Sequence, residues 1–567
     1  MHFKKILSLL LSSALTVMSI PAFAFDFPQP DWGQLLSERE AMVTESDFEL
    51  YVEGDTSASP YFGARLEPRS GVYLGMIAET SSEFQPLGCY LTYIDDMNQP
   101  DLYYPANETI ANGNATVMVG WVIGNMETVD YSKVRSVLDT LNAYNKPMFI
   151  RFANEMNVSS LGDEPGKYIE VFRNVANIIH EYPNFAVVWA PNDLGGLDRP
   201  FEYYYPGDEY VDWVGVNCYD IKYFLGNQNT EYKDSVYFMT GDYSWTTNRL
   251  KPIIDFMEKN NINKPVMISE GGVATNNSYG ENLEYWASPR LRNMLWNTLM
   301  KYPQVKMINY FNTYRDNEIE KFDISNYGYA ANIFKEAENS GAYIRYLGSN
   351  PDFVYQKAND SGTLQAKNGI LNLYTLAYIP GQSDFTVNYF LDGNWYHSSN
   401  QIPYTCGLSL SGISDGQHTI TISAFDKSET YTFIKSGQYV SFGDSGNITM
   451  NTASIKVLVN GECVEFDQQP ILENNRTLVP LRAIFEALNA TVDWYDLTQT
   501  VTAVKGNTNI SLQIDSTLMT VNQAVKTLDV PAKLVNSRTL VPVRAVSEAF
   551  GCDVKWDDAN QTVIITE

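Results

Sequence analysis

Between residues 70 and 320, short apolar runs alternate with amphipathic stretches. The runs are Val72–Ala78, Cys89–Ile94, Thr116–Ile123, Pro147–Phe152, Ala186–Trp189, Trp213–Asn217, Pro265–Ser269 and Val305–Tyr310. Between them, Tyr131–Tyr144, Gly166–Glu181, Arg249–Asn260 and Arg290–Lys301 space their apolar residues at helical intervals. A strand that is apolar nearly throughout is buried on both faces, as in a parallel sheet covered by helices. Eight such units over about 250 residues predict an α/β chain built on a (β/α)₈ barrel. A doubly wound open sheet is the alternative, but no Gly-rich phosphate loop follows the first strand.

After residue 345 the pattern turns to strict alternation, as in Phe385-Thr386-Val387-Asn388-Tyr389 and His418-Thr419-Ile420-Thr421-Ile422, with Gly, Asn and Asp turns between. Residues 346–450 are therefore expected to form a β-sandwich. The stretch from Leu408 to Asp426 resembles bacterial immunoglobulin-like modules. Residues 451–567 repeat themselves. Arg476-Thr477-Leu478-Val479-Pro480-Leu481-Arg482-Ala483 returns 62 residues later as Arg538-Thr539-Leu540-Val541-Pro542-Val543-Arg544-Ala545, and Trp494 returns as Trp556. Each copy reads as a strand, a helix begun after Pro and a hairpin, so the domain is an α+β tandem repeat. It resembles the copper amine oxidase N-terminal-like (stalk) domain and is read as a spacer or a module that meets the cell wall. No His follows His418, so the resemblance implies no copper here.

At the start of the chain, Lys4 and Lys5 precede the apolar stretch Ile6–Ile20 and the small-x-small site Ala22-Phe23-Ala24. Residues 1–24 read as a secretory signal, which predicts a secreted or surface-associated bacterial protein. No later apolar run approaches the length of a membrane span, so the mature chain is expected to have no transmembrane segment. Residues 25–345 then hold the barrel and an N-terminal extension, with a helix expected over Trp32–Thr44.

Charge narrows the partners. The 567 residues include 39 Lys+Arg against 67 Asp+Glu, a formal charge of −28, which repels phosphate backbones and argues against nucleic acid. Five widely spaced Cys make no disulfide framework, and most are expected as buried thiols. Four His, and no zinc-helix, EF-hand or Walker motif, predict no metal site and no cofactor. An acidic, exported chain whose aromatic content reaches 13% instead fits a neutral polysaccharide or oligosaccharide as partner.

In a barrel of this kind, side chains at the strand ends point into the mouth. The fourth run continues into Arg151-Phe152-Ala153-Asn154-Glu155-Met156-Asn157, and the seventh into Ser269-Glu270-Gly271-Gly272. Alternation along a strand puts Arg151, Ala153 and Glu155 on one face, and groups Val266, Ile268 and Glu270. Two carboxyls across one mouth suit retaining glycoside hydrolysis, which needs them about 5–5.5 Å apart with one protonated and one ionised. Arg151 beneath the mouth would keep the nucleophile ionised. Asn154, beside the acid, would bond a sugar hydroxyl. The bland alternative makes each Glu half of a structural ion pair.

Three stretches carry a family likeness: Arg151–Asn157, Val188-Trp189-Ala190-Pro191-Asn192, and the run from Tyr205-Pro206-Gly207-Asp208-Glu209 to Asn217-Cys218-Tyr219. Together they resemble glycoside hydrolase family 26, best known for β-mannanases, in the clan whose acid/base follows strand four and whose nucleophile ends strand seven. The resemblance implies Glu155 as acid/base, Glu270 as nucleophile and Tyr219 as a donor to the nucleophile. Two departures fall near the substrate: Asn154 stands where the family usually has His, and Val158-Ser159-Ser160-Leu161-Gly162 replaces a tryptophan-rich segment. Clan chemistry is therefore a firmer expectation than mannan as substrate.

Trp189, Trp213, Trp245 and Trp286, with Tyr310 and Tyr314, are candidates to stack on sugar faces, core packing being the alternative for each and the favoured one for Trp213, inside a strand. Asn309 and Asn312 would bond substrate or cap a turn. The leading expectation is a secreted retaining hydrolase of β-linked glycan. Its competitors are a catalytically silent carbohydrate-binding or surface protein, and a transglycosylase using the same residues.

Overall fold

The computed structural model describes residues 44–94, 102, 105–193, 199–222, 241, 244–277, 281–313, 320–443, 456–464, 466, 468, 470–473, 476–495, 498–535, 538–557 and 562–567. The signal, Tyr314 and nearly all of the expected helix Trp32–Thr44 lie outside the described residues. The chain divides into two compact units, the first ending at Phe433 and the second beginning at Ile434.

Eight strands of the first unit form one parallel sheet: β1 (Val72–Ile77), β2 (Cys89–Ile94), β3 (Thr116–Trp121), β4 (Met148–Phe152), β5 (Phe185–Trp189), β6 (Trp213–Asp220), β7 (Val266–Val273) and β8 (Val305–Tyr310). Neighbours pair in sequence order, and β8 pairs back onto β1 through Met307↔Tyr73 and Tyr310↔Met76, so the sheet is a closed barrel and not an open, doubly wound one. The strands read as apolar runs because nearly every residue in them is buried.

The covering helices bury one stripe each. In Tyr131–Asn142 the Asp130 side chain caps the Ser132 amide, and Val134, Val137, Leu138 and Leu141 face the barrel. Pro165–Ile179 begins with the proline expected of a first turn. Among the described residues no helix is long and apolar enough to cross a membrane.

The N-terminal extension, expected to accompany the barrel, does something else. Its strand Asp47–Gly54 runs antiparallel between Val354–Lys357 and Ile370–Tyr378, and Ile370–Tyr378 pairs in turn with Tyr404–Ser409. A strand from before the barrel thus completes a sheet of the domain that follows it. Leu50 and Val52 are fully buried there, which supplies the apolar reason for the pairing. The hairpin Val387–Leu391 with Asn394–Ser399, extended by Gly416–Ala424, belongs to a separate antiparallel sheet.

In the second unit the two repeats are interlocked. The strands Arg476–Pro480 and Arg538–Pro542 pair antiparallel through Leu478↔Pro542, Val479↔Val541 and Pro480↔Leu540, so equivalent valines meet at the centre. The helix Leu481–Ala487 packs on the second repeat's strand, and Val543–Ala549 on the first's.

A chain starting at residue 56 is expected to lose about 5 kcal/mol or more of sandwich stability, since Leu50, Tyr51 and Val52 each bury a side chain worth about 1.5–3 kcal/mol. Thermal unfolding with limited proteolysis checks this: new cleavage should fall within 354–433, and an unchanged melting profile contradicts the strand's role.

Candidate active site

The mouth is built at the C-terminal ends of the strands. β7 reaches it irregularly: against β6, Val216 faces Ile268 but Asn217 faces Glu270, which leaves Ser269 as the extra residue of a bulge. The consecutive side chains of Ser269 and Glu270 consequently meet one guanidinium. Arg151 Nη1 lies 3.5 Å from Ser269 Oγ, and Nη2 donates to Glu270 Oε2 at 2.7 Å. The expected grouping of Glu270 with Val266 and Ile268 by simple alternation is corrected by this bulge.

Arg151 is fully buried on β4; its Nη1 also donates to Asn217 Oδ1 at 2.5 Å, and its guanidinium lies 5.6 Å from the Tyr93 ring centre. Glu270, 8% exposed, accepts further hydrogen bonds from Tyr93 OH on Oε2 at 2.5 Å and from Tyr219 OH on Oε1. Phe311, just beyond β8, meets both phenol rings edge-on, with centroids 6.3 and 6.0 Å away. Burial opposes ionisation of Glu270, but the Arg151 charge and the hydrogen bonds from Tyr219, Tyr93 and Arg151 outweigh it and hold the pKa below the ordinary value. Burial and the Glu270 charge push both phenols well up, so they remain donors.

Glu155 arrives by a different route. β4 ends at Phe152, and Ala153 (φ 49°) and Glu155 (φ 57°) then adopt left-handed backbone, at about 1–2 kcal/mol each. Strand parity therefore does not bring Glu155 to the mouth; a kinked backbone does, and its amide donates to Ala190 O at 2.9 Å. Asn192 Nδ2 donates to Glu155 Oε1 at 2.6 Å. Burial, then the Glu270 charge, raise the Glu155 pKa against the lowering effect of Asn192, the nearby Asn217 amide and Arg151. Glu155 keeps its proton at a pH where Glu270 has lost its own.

The aromatic candidates are placed elsewhere. Trp189 is fully buried and packs on Tyr205 and Phe256, its ring turned from the barrel toward the helix Thr246–Lys259. Trp245 and Trp286, 4% and 2% exposed, both stack on the Arg290 guanidinium. Tyr310 is fully buried, and its hydroxyl donates to Val273 O at 3.2 Å. All four rings are used in packing, and none offers a face to a sugar. Asn309 is buried, and Asn312 is bonded to Ser325 Oγ and the Ile324 amide. Asn154 sits partly buried beside Glu155.

Sequence reasoning missed Tyr93, Asn192, Asn217 and Phe311. Tyr93 and Asn217 lie in the C-terminal halves of β2 and β6, Phe311 follows β8 directly and Asn192 lies three residues beyond β5, so position near a strand's C-terminal end is the signal that could have found them. Tyr285, at the start of the helix Glu284–Arg292 that follows β7, is 66% exposed, and Lys222 Nζ lies 4.8 Å from its ring centre. Among the described residues no group of three or more His, Cys, Asp or Glu is arranged to hold a metal ion.

Residues 117–284, which include both acids, match the family model of glycosyl hydrolase family 26, and residues 458–565 match the copper amine oxidase N-terminal domain. The first match supports a glycoside hydrolase. A search of curated proteins finds no match. Among solved structures, the chain is similar to an endo-β-1,4-mannanase double mutant of Cellulomonas fimi (12% identity, 67% of this chain and 99% of that one, TM-score 0.36). It is also similar to a family 26 β-mannanase of Bacteroides ovatus (13% identity, 49% and 91%, TM-score 0.35). A third similarity is to the endo-β-1,4-mannanase of Thermotoga petrophila (11% identity, 65% and 97%, TM-score 0.32). These similarities are weak; the functional reading rests on the family match and on the site.

A carboxylate with a depressed pKa stabilises the fold above its unfolded value of about 4.3, and that contribution is lost as pH falls through the folded value. Arg151→Met leaves Glu270 buried without its cation, which raises its pKa and is expected to cost about 3–5 kcal/mol at pH 7. The deficit should shrink below pH 4 and on adding Glu270→Gln. Denaturant unfolding at the two pH values measures it, and a pH-independent deficit contradicts the pairing.

Proposed function

We propose that the barrel is a retaining glycoside hydrolase that cleaves β-linked glycan by double displacement, with β-1,4-mannan or a related hemicellulose as the first candidate substrate. The observation that carries this reading is the unlike pair of carboxyls. Glu270 is kept ionised by Arg151 and two phenols, while burial and the neighbouring charge keep Glu155 protonated. A protein that only holds glycan has no use for opposed pKa values, which favours the enzyme over the silent binder.

In the first step Glu270 attacks the anomeric carbon as Glu155 gives its proton to the departing glycosidic oxygen. Arg151 and Tyr93 both engage Oε2, leaving Oε1 with Tyr219 alone and freer to form the bond. In the second step Glu155, now ionised, takes a proton from water, which attacks the same carbon and releases Glu270. Asn154 is assigned to a sugar hydroxyl. Tyr285 is assigned as a sugar platform in place of the buried tryptophans. The signal sequence supports export, and the C-terminal repeats are assigned as a spacer.

Reducing ends measured on mannan, glucomannan, xylan and mixed-linkage glucan test this, together with NMR of the first anomer released. Cleavage of at least one polymer with retained configuration is expected. Glu270→Gln should lose about 10⁴-fold or more, and Glu155→Gln about 10²–10⁴-fold. The pH profile of kcat/KM should be a bell, its acid limb set by Glu270 and its alkaline limb by Glu155. If Glu270→Gln matches the parent, the mechanism is wrong; binding without turnover on every polymer favours the silent binder.

Tyr285→Ala should raise KM about two- to tenfold with kcat little changed, as expected for the loss of one aromatic contact. Unaltered steady-state kinetics would remove Tyr285 from the substrate path.

A further inference from the structure

Asn157 stands two residues beyond Glu155 and is 1% exposed. Its side chain grips the backbone of a different loop: the Asn192 amide donates to Asn157 Oδ1 at 2.9 Å, and Asn157 Nδ2 donates to the Asn192 carbonyl at 2.7 Å. A side-chain amide presents donor and acceptor side by side, so both groups of one residue's backbone are satisfied at once. Asn192 then sends its own Nδ2 to Glu155 Oε1, and the Glu155 amide closes a ring on Ala190 O.

The same loop is held from its far side. The Asp193 amide donates to Asn217 O at 3.2 Å, and the Asn217 amide to Pro191 O at 3.1 Å. Asp193 Oδ2 accepts from Arg249 Nη1 at 2.8 Å, with both side chains buried. The Asn192 backbone is therefore fixed, and the direction of its side chain is set by that backbone.

We infer that Asn157 is a positioning residue: by clasping the Asn192 backbone it aims the Asn192 amide at Glu155 and so fixes where that carboxyl stands when it exchanges its proton. This rests on the proposed glycosidase reading. Asn157 touches no reacting atom. The charged and titratable groups that face Glu155 are Glu270 on β7, Arg151 on β4 and Tyr219 on β6, and the hydrogen bonds of Asn157 run to Asn192 and to none of these.

The test is a double-mutant cycle read on the alkaline limb of kcat/KM. Asn192→Ala removes a donor to the ionised form of Glu155 and should move the limb up by about one pH unit. Asn157→Ala should move it in the same direction, and the double variant no further than Asn192→Ala alone. A limb unmoved by Asn157→Ala in a folded protein, or two shifts that simply add, overturns the clasp. Should Asn157→Ala not fold, Asn157→Ser should give the same direction at smaller amplitude.

Infrared difference spectra against pH, with Glu155→Gln as the blank, follow the same proton without turnover. If the parent cuts no glycan but the infrared shift obeys the cycle, the glycosidase reading fails and the clasp stands. If the parent is active and neither readout moves, the clasp fails alone.

Discussion

A carboxylate can stay ionised inside a barrel only if a cation is buried with it, and the pair of Arg151 and Glu270 meets that constraint. The rest of the mouth is arranged around it. The bulge at Ser269 lets two successive β7 side chains reach one guanidinium, and Asn217 occupies the nitrogen that Glu270 does not fill. Tyr93 and Tyr219 satisfy the two carboxylate oxygens, and Phe311 holds both phenols in place. With donors from three strands, β2, β4 and β6, committed to Glu270, the second carboxyl accepts from the Asn192 side-chain amide and, among the described residues, is paired with no cation. The asymmetry between the acids is a consequence of that unequal supply of donors.

The barrel was legible because a strand buried on both faces must be apolar nearly throughout, and eight such runs cannot be mistaken for alternation. Glu155 and Glu270 were legible as acids at strand ends. How they reach the mouth was not. Nothing in Ile268-Ser269-Glu270 marks a bulge, and the left-handed backbone at Ala153 and Glu155 lacks the glycine that would have signalled it. The roles of the aromatic rings were not legible either, since Trp189 reads the same whether it faces a helix or a sugar. The strand Asp47–Gly54 was missed because its partners lie on the other side of the whole barrel in sequence, where no local pattern points.

The charge network and the departures from the family pattern meet in the loop after β4. Tyr93, Arg151, Asn217 and Tyr219 lie on strands, where backbone pairing holds them, whereas Glu155 and Asn157 lie in the loop after β4. The positions that depart from the family pattern, Asn154 and the segment from Val158 to Gly162, lie in the loop after β4, and Val158 there is exposed.

The central pairing of the C-terminal repeats has the symmetry of a contact between like subunits. Because Val479 faces Val541, with Leu478 opposite Pro542 and Pro480 opposite Leu540, each repeat uses the same surface toward the other, as subunits do across a two-fold axis. Two separate copies of a single repeat have the same register open to them. Held in one chain, the contact is intramolecular, so its strength does not depend on protein concentration. The tandem thus has, at its central strand pair, the form of a two-fold contact closed within one chain.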